Sequence, residues 1–366
     1  MKIASIVGAR PQFIKCAPLS KELRRHHEEI IIHTGQHYDY EMSKVFFDEL
    51  NIPEPDYNLS IGSGSQGHQT GAMLAAIEDV LVKEEPQMIV VFGDTNSTIA
   101  GALAASKLGI PISHVEAGLR SYDRTMPEEI NRVLTDHISN LLFAPTESAV
   151  ANLEEEGIHR GVHQVGDIMV DSLNSVMEVA RSRSTVLQMP GIEKHAYFVL
   201  TIHRAGNTND PAKLGKVLNA IRRSGVPTIF PVHPRTKKLL NNINLKMPAN
   251  LIPIEPLGYI DMIALISNAR GVLTDSGGMQ KESFILGTRC ATLRENTEWQ
   301  ETFVEGRNRL VGLDEEKIVE ALAEPPIVSV PESCPFGMMG VSVMITRAIE
   351  DYALDLAGGN GIFHPV

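Results

Sequence analysis

The feature that most constrains this chain is a regular alternation of short apolar runs with longer amphipathic stretches. The apolar runs are KIASIV, EIIIHT, MIVVF, PISHV and LLFA, followed in the second half by YFVLTI, PTIFPV, LIPIE, GVLTD, CATL and RLVGL. Such continuously apolar runs are typical of strands in a parallel sheet that helices cover on both faces. The alternation therefore predicts an α/β protein with two doubly wound Rossmann-type domains.

The length of 366 residues fits two domains better than one core. The polar segment ARSRSTVLQMPGIEKH separates the two halves, and a last helical pattern, VSVMITRAIEDYALDLAG, follows a proline-rich stretch. A terminal helix after such a connection could pack back on the first domain. We predict a first domain of residues 1–167 plus 345–366 and a second domain of residues 168–344.

Charge and composition exclude several classes of protein. The net charge of −12 argues against a nucleic-acid partner, which needs basic patches. The apolar runs are too short to cross a membrane, and the chain does not open on a secretion signal. Its three cysteines, Cys16, Cys290 and Cys334, lack metal-ligand spacing and are typical of reduced thiols. We expect a cytoplasmic protein with no membrane, nucleic-acid or metal association.

Two motifs resemble cofactor or metal sites but lack the necessary context. GSGSQG at residues 62–67 satisfies the dinucleotide fingerprint, yet it follows two earlier strand–helix units, and no acidic residue ends a following strand. A Gly/Ser loop is the better interpretation. His159 and His163 are spaced by four residues without a third ligand, which favours surface histidines. We therefore predict neither a metal nor a cofactor.

Polar side chains follow almost every apolar run, where the strands of an open α/β sheet place their ligands. In the first half they are Arg10, Lys15, Gln36, His37, Asp94, Glu116, Arg120 and Glu128. In the second half they are His203, Arg204, His233, Arg235, Asp275, Ser276, Gly277, Gly278 and Glu282. This concentration exceeds what solvated loops supply by chance and predicts a ligand site at the strand ends.

The segment TDSGGMQKE places the turn 276–278 between a strand and a helix. Glycines let backbone N–H groups approach a ligand, and a helix N-terminus favours an anion. Glu282, on the first turns of the helix, is placed to accept hydrogen bonds from a sugar diol. Taken alone, the turn is equally well explained as a Ser N-cap with a tight glycine turn. The cations that favour a diphosphate site are Arg10, Lys15 and His203.

Acidic residues collect after the strands of the first half. Carboxylates that are close together and partly dehydrated have raised and split pKa values, which suits proton abstraction and return. Asp94 has an alternative as a helix N-cap, and Glu128 and Glu129 have one as first-turn acids. Glu116, directly after a buried strand, has no comparable structural explanation. His114 inside that strand is more often a hydrogen-bonded core histidine than a ligand.

The motifs GARPQFIK, GDTNST, HVEAGLRS, PEEINR, APTES, PVHP and LTDSGGMQKE occur in this order over nearly the whole chain. In this respect the chain resembles the non-hydrolysing UDP-N-acetylglucosamine 2-epimerases. The resemblance implies a GT-B-like fold, in which two Rossmann-type domains face each other across a cleft, and a homodimer. It also implies interconversion of UDP-N-acetylglucosamine (UDP-GlcNAc) and UDP-N-acetylmannosamine (UDP-ManNAc) without a nicotinamide cofactor.

The resemblance also implies roles for individual residues by motif position. The catalytic acids would be Asp94, Glu116 and Glu128, with no finer assignment among them. The residues near the diphosphate would be Arg10, Lys15, His203 and Arg204, and the UDP-binding turn would be Ser276, Gly277, Gly278 and Glu282. Proton loss from C2 of the sugar would be coupled to departure of UDP from C1, giving a glucal intermediate.

Three segments depart from the family pattern. The family's H-R-R-E reads HRAGN here, and its T-E-R-P-E reads TEWQE. Trp299 thus replaces an Arg that serves the nucleotide end, and it could stack on uracil or cap the pocket. The QHREM segment of the bacterial members reads QHYDYEM in this chain. In those members, this region helps to form a second UDP-GlcNAc site that activates the enzyme. The residues retained for such a site are Gln36, His37 and His233.

Alternative functions remain open at this point. The nearest is 2-epimerisation of another UDP-sugar, such as a 2,3-diacetamido uronate, whose carboxylate would require an extra cation. A hydrolysing epimerase is disfavoured by the persistence of the non-hydrolysing motifs, and a glycosyltransferase has no need of three acids. A catalytically silent UDP-sugar sensor is disfavoured by the intact acids.

Overall fold

A computed structural model describes residues 1–36, 49–50, 52–189, 191–208, 210–232, 236, 247–327 and 334–357. The chain forms two compact units, residues 1–174 with 335–366 and residues 175–334. The change of unit falls inside the helix Met169–Arg183; the residue limits predicted for the two domains stay predictions. Within the described residues, no helix is long and apolar enough to cross a membrane.

The first unit is a parallel seven-stranded sheet with helices between the strands. Its strands are β1 (Lys2–Val7), β2 (Glu28–His33), β3 (Tyr57–Asn58), β4 (Met88–Phe92), β5 (Ile112–Val115), β6 (Leu141–Ala144) and β7 (Val162–Gln164). Its helices are α1 (Arg10–Leu23), α2 (Gln66–Glu84), α3 (Asn96–Leu108), α4 (Pro127–Ile138), α5 (Glu147–Glu155), α6 (Met169–Arg183) and the terminal α12 (Val341–Ala357). The strand order is β3-β2-β1-β4-β5-β6-β7.

The second unit repeats this plan with six parallel strands. They are β8 (Phe198–Thr201), β9 (Thr228–Pro231), β10 (Leu251–Ile254), β11 (Gly271–Thr274), β12 (Cys290–Thr292) and β13 (Asn308–Leu310), in the order β10-β9-β8-β11-β12-β13. The helices are α7 (Ala205–Thr208), α8 (Pro211–Ser224), α9 (Tyr259–Ser267), α10 (Gly277–Ile285) and α11 (Glu315–Ala323), with 3₁₀ turns at Val186–Gln188 and Gln300–Gly306. The predicted α/β class with two doubly wound Rossmann-type domains is confirmed.

The strand predictions hold where burial on both faces dictates the sequence. All five residues of β4 are buried, as are five of the six residues of β1, because helices cover both faces of the sheet. The strands β3 and β7 were not predicted, since these short segments, YN and VHQ, have no apolar run.

The Gly/Ser segment at 62–67 is only partly a loop. Ser65 is the N-cap of α2, so that Gln66 and Gly67 already lie in the helix. The segment follows β3, which is at the edge of the sheet, whereas a dinucleotide site requires the strand next to the point where the order reverses. The prediction that it is no dinucleotide loop agrees with this position.

The terminal helix packs in the core of the first unit. Val341, Ile345 and Ile349 are fully buried there with residues of β1, α1 and β4. The carboxylate of Asp171 accepts hydrogen bonds from the backbone N–H of Gly340 and from the N–H and hydroxyl of Ser342. The C-terminal segment is therefore held to the first unit at the start of this helix.

Both sheets have a topological switch point, where the strand order reverses. It lies between β1 and β4 in the first unit and between β8 and β11 in the second. Ligands of open α/β sheets bind outside the carboxyl ends of these strands. The loops that follow β1, β4, β8 and β11 are therefore where the two units are expected to bind a ligand.

Candidate active site

Gln12 connects the two loops at the switch point of the first unit. Its Oε1 accepts hydrogen bonds from the N–H groups of Gly8 (2.8 Å) and Ala9 (3.0 Å). Its Nε2 donates to the carbonyl of Phe92 and to the hydroxyl of Thr98, both at 3.0 Å. This buried amide fixes the loop after β1 against the end of β4 and the start of α3.

Asp94, in the loop after β4, is not the cap of the following helix. Thr95 is the N-cap of α3, whereas the carboxylate of Asp94 pairs with the guanidinium of Arg132 on α4. The side chain of Asn131 donates to the backbone carbonyl of Asp94 at 3.0 Å. The capping alternative considered for Asp94 is therefore excluded, and α4 is anchored to its loop.

The pKa of the Asp94 carboxyl is raised above its ordinary value, chiefly by burial. The Arg132 guanidinium acts to lower this pKa, the neighbouring Glu116 carboxylate raises it, and Lys15 lowers it. The side chain of Asp94 is 31% exposed, so a reactant has access to it. A raised pKa on an accessible carboxyl is characteristic of groups that transfer protons.

Glu116 pairs with Lys15 of α1, and both side chains are over nine-tenths buried, at 9% and 8% exposure. Glu116 has a φ of +73°, a left-handed conformation that is uncommon for residues other than glycine. Gly93 makes room for the pair: a Cβ there would lie 3.2 Å from Oε2 of Glu116 and 3.4 Å from Nζ of Lys15. A buried ion pair and a strained backbone thus lie beside Asp94.

The two acids at the start of α4 differ in their surroundings. Glu128 is exposed, whereas Glu129 is buried. Glu129 accepts hydrogen bonds from Ser121 (N–H and hydroxyl), from the N–H of Tyr122, and from Arg132 at 3.1 Å. Glu129 therefore holds the loop before α4 in place, which leaves Glu128 as the accessible acid of the pair.

The remaining predicted residues of the first unit lie at the same edge of the sheet. Arg10 is exposed as the first residue of α1. Oε1 of Gln36 accepts hydrogen bonds from the N–H and hydroxyl of Ser97, near the start of α3. The other two residues proposed for an activating site, His37 and His233, lie outside the described residues.

In the second unit, the buried carboxylate of Asp275 organises the loop after β8. It accepts hydrogen bonds from the N–H groups of His203 and Arg204 and from the side chain of Asn207 at 3.1 Å. Nδ1 of His203 lies 3.3 Å from the same carboxylate, and the His203 side chain is 45% exposed. Asp275 thus presents the exposed His203 and Arg204 side chains at the switch point.

The turn 276–278 opens α10 as predicted from the sequence. Ser276 is the N-cap, and its hydroxyl accepts from the N–H of Met279. A Cβ on Gly277 would lie 2.4 Å from Oε1 of Glu298, whereas Gly278 is exposed with nothing near its Cβ position. The nine-residue helix directs the positive end of its dipole at this open turn, which suits an anion.

The side chains behind this turn are buried. Glu282 accepts a hydrogen bond from the hydroxyl of Tyr259 at 3.0 Å. Trp299 is also buried, and Nζ of Lys281 lies over its ring, 4.0 Å from the centroid. The tryptophan that departs from the family pattern therefore forms a cation–π contact within the second unit.

Sequence reasoning did not single out Gln12, Arg132 or Asp275 as organisers of these loops. Arg132 had a readable signal, because it follows Glu128 by four residues and therefore lies on the same helix face. Asp275 stands inside a motif chosen for its glycines. Across the part of the chain that the structure describes, no group of three or more His, Cys, Asp or Glu side chains could hold a metal ion.

The fold and these loops are those of an α/β protein with carboxylates collected at one switch point and an open turn at a helix N-terminus at the other. The family model described as UDP-N-acetylglucosamine 2-epimerase matches residues 21–350. A Methanococcus maripaludis protein named UDP-N-acetylglucosamine 2-epimerase homolog is 56% identical over 356 residues, which cover 96% of this chain and 100% of that protein. The chain therefore belongs to the UDP-N-acetylglucosamine 2-epimerase family, and the resemblance predicted from its motifs is confirmed.

Two further relatives bear on the choice of substrate. The crystal structure of the Methanocaldococcus jannaschii UDP-GlcNAc 2-epimerase in complex with UDP-GlcNAc and UDP matches with a TM-score of 0.85 and 46% identity, covering 96% of this chain and 100% of that one. The UDP-2,3-diacetamido-2,3-dideoxy-D-glucuronate 2-epimerase of Pseudomonas aeruginosa is 48% identical over 330 residues, or 88% of this chain and 91% of that protein. The predicted enzyme class, a nucleotide-sugar 2-epimerase, is common to both.

Proposed function

We propose that this protein interconverts UDP-GlcNAc and UDP-ManNAc by reversible epimerisation at C2 of the sugar. The observation that carries the proposal is the Asp94 carboxyl, whose pKa is raised by burial and which lies beside the Lys15–Glu116 ion pair. An accessible carboxyl with a raised pKa is suited to proton exchange with a substrate. The family membership supports the same reaction.

The chemistry explains why carboxylates alone do not suffice. The C2 hydrogen of the sugar has no adjacent carbonyl, so its removal as a proton is coupled to cleavage of the C1–O bond. UDP leaves with the electron pair of that bond, and a C1=C2 double bond forms in the glucal. A proton then returns to C2 on the opposite face, and UDP adds back to C1. The two half-reactions balance without an oxidant or a reductant.

Asp94, Glu116 and Glu128 are the acids that we assign to these proton transfers. Glu128 precedes Asn131 and Arg132 by three and four residues, which places all three on one face of α4. Because Asn131 and Arg132 both bind Asp94, this face of the helix is directed at the Asp94 loop. The assignment of one acid to abstraction and another to return is left open.

Departure of UDP requires cations and dipoles that stabilise a diphosphate. In the second unit, the turn 276–278 offers a helix N-terminus, and Asp275 holds the exposed His203 and Arg204 side chains at the neighbouring strand end. The first unit would contribute Arg10 and Lys15. Glu282 would bind the ribose, consistent with its position on α10.

The experiment combines product analysis with a matched pair of variants. The purified protein is incubated with UDP-GlcNAc, and the nucleotide sugars are separated by chromatography; UDP-ManNAc is the expected product. Replacing any of the three acids by its amide, as in Glu128→Gln, should reduce turnover about a hundredfold or more and leave UDP affinity intact by calorimetry. Glu147→Gln is the control, since Glu147 is also an exposed first-turn acid. Near-normal turnover by all three acid variants would contradict the assignment of these carboxylates as the proton-transfer groups.

A second candidate substrate is favoured by the Pseudomonas aeruginosa relative at 48% identity. A UDP-2,3-diacetamido uronate carries an additional carboxylate, which would require a further cation near the sugar. Comparing kcat/KM for the two substrates decides between them. A preference for the uronate would make it the assigned substrate and leave the assigned reaction, epimerisation at C2, unchanged.

The predicted homodimer and cytoplasmic location extend this proposal. Light scattering coupled to size exclusion measures the oligomeric state, for which we expect twice the chain mass of 40.1 kDa.

Activation by a second UDP-GlcNAc molecule would appear as a sigmoidal dependence of the reaction rate on the UDP-GlcNAc concentration. A hyperbolic dependence would contradict a role for Gln36, His37 and His233 in activation.

A further inference from the structure

His114 is a buried histidine that the proposed reaction does not use. It lies in β5 with no exposed surface. Its Nδ1 is 2.7 Å from Oδ1 of Asp136, and its Nε2 is 2.7 Å from the backbone carbonyl of Gly93. Both ring nitrogens therefore make short hydrogen bonds inside the first unit.

Asp136 connects His114 to the loop after β5. Oδ2 of Asp136 accepts from Arg120 Nη1 at 2.7 Å and from the N–H of Gly118 at 3.1 Å. Burial acts to raise the pKa of Asp136, but His114 and Arg120 outweigh it and hold this pKa below its ordinary value. The two carboxylate oxygens of Asp136 therefore join His114, Arg120 and Gly118 in one cluster.

This cluster of Arg120, Asp136 and His114 joins the three segments that bear the proposed acids. His114 holds the carbonyl of Gly93, the residue before Asp94. Asp136 holds the N–H of Gly118, two residues after Glu116, and itself belongs to α4, the helix that starts beside Glu128. Arg120 is in turn paired with Glu156, to which its Nε and Nη2 donate hydrogen bonds.

We propose that His114 is a positioning residue for the epimerisation, which together with Asp136 holds the Asp94 loop, the Glu116 turn and α4 in one fixed arrangement. The inference rests on the proposed function, because it presumes that these segments carry the catalytic acids. The hydrogen bond at Nε2 also polarises the Gly93–Asp94 peptide, since hydrogen bonds in a chain strengthen one another at low dielectric. Removing the ring would release both Gly93 and Asp136.

Positioning is tested by kinetics on His114→Gln and Asp136→Asn. Small displacements of catalytic groups cost up to about a hundredfold in rate, so we expect kcat to fall by about tenfold to a hundredfold. KM for UDP-GlcNAc and the affinity for UDP should stay within about threefold, because the hydrogen-bond partners of His114, which are Gly93 and Asp136, are not among the residues proposed to bind the nucleotide. A residue needed only for stability would lower the melting temperature and leave kcat of the folded protein unchanged.

His159→Gln is the matched control, since His159 is an exposed histidine of the same unit; its kcat should equal that of the wild type. Asp136→Asn keeps the size of the side chain and serves if His114→Gln does not fold. Wild-type kcat in a folded His114→Gln or Asp136→Asn protein would overturn positioning. Failure of the wild type to epimerise any UDP-sugar would overturn the proposed function, and with it the role of His114. In an enzyme that is active as the wild type, unchanged kcat in these variants would overturn this inference alone and leave the proposed function intact.

Discussion

At the scale of the residue, the charges around Asp94 oppose one another. Burial and the Glu116 carboxylate raise the pKa of Asp94, whereas Arg132 and Lys15 lower it. Arg132 is the larger of the two lowering influences and is held in place by Glu129. The upward shift of the Asp94 pKa by burial is therefore moderated by a guanidinium that is not itself expected to touch the substrate.

Replacing Arg132 by Gln should raise the pKa of Asp94 further. If ionised Asp94 is the base, the acidic limb of the profile of kcat/KM against pH then moves to higher pH, because the carboxylate is populated only above its pKa. Arg132→Lys keeps the positive charge and should move the limb less. Rates measured between roughly pH 5 and 9 check both variants. A shift toward lower pH in Arg132→Gln would contradict this account of Asp94.

The sequence predicted which residues stand at the strand ends but not how they pair. Asp94 and Glu116 were identifiable because each carboxylate follows a continuously apolar strand. The partner of Asp94 is 38 residues away, and this pairing depends on how α4 packs against the sheet. Glu128 and Glu129 are adjacent in sequence, yet only Glu129 is buried, because it accepts hydrogen bonds from Ser121, Tyr122 and Arg132.

At the scale of the element, the loop after β1 is packed too closely to admit a side chain at its first residue. A Cβ on Gly8 would lie 2.1 Å from the hydroxyl of Thr34 and 2.2 Å from that of Ser97, and both residues are fully buried. Gly71, in the interior of α2, has nothing within 4 Å of its Cβ position. Close packing therefore requires a glycine at position 8, whereas position 71 has room for a side chain.

Gly8→Ala and Gly71→Ala should change stability in opposite directions. Overpacking at Gly8 should cost about 1–3 kcal/mol, whereas alanine at Gly71 should stabilise the helix by about 1 kcal/mol. Thermal melts of both variants beside the wild type measure the effect. A Gly8→Ala protein as stable as the wild type would show that the loop after β1 can move away from α3.

At the same scale, the strands were predictable to within a residue or two. A strand buried on both faces has to be apolar throughout, so β1, β4 and β6 can be read directly from the sequence. The edge strands β3 and β7 have two and three residues and owe their pairing to their neighbours, and so no local pattern predicts them.

At the scale of the whole molecule, each unit has its own core. The terminal helix α12 belongs to the core of the first unit through Ile345 and Ile349, although it follows the second unit in sequence. The order of motifs along the chain predicted two similar domains, but the destination of this helix depended on the resemblance to a family. Its apolar face alone does not say which core it covers.

Ile345→Ala should therefore loosen the first unit and spare the second. A buried Ile→Ala change costs about 2–5 kcal/mol, and local stability governs amide exchange. Hydrogen–deuterium exchange should accelerate in peptides from residues 1–174 and stay unchanged in peptides from residues 175–334. Met344→Ala, at an exposed position of the same helix, is the control. Equal acceleration in both units would contradict separate cores.

The claim on which the account depends is that carboxylates of the first unit exchange the C2 proton of a UDP-sugar while UDP departs. The most direct measurement is incubation with UDP-GlcNAc in deuterium oxide, followed by NMR of the sugar. The account predicts UDP-ManNAc with deuterium at C2 and the same label in the recovered UDP-GlcNAc. Release of free ManNAc, or UDP-ManNAc that retains its original hydrogen at C2, would contradict it.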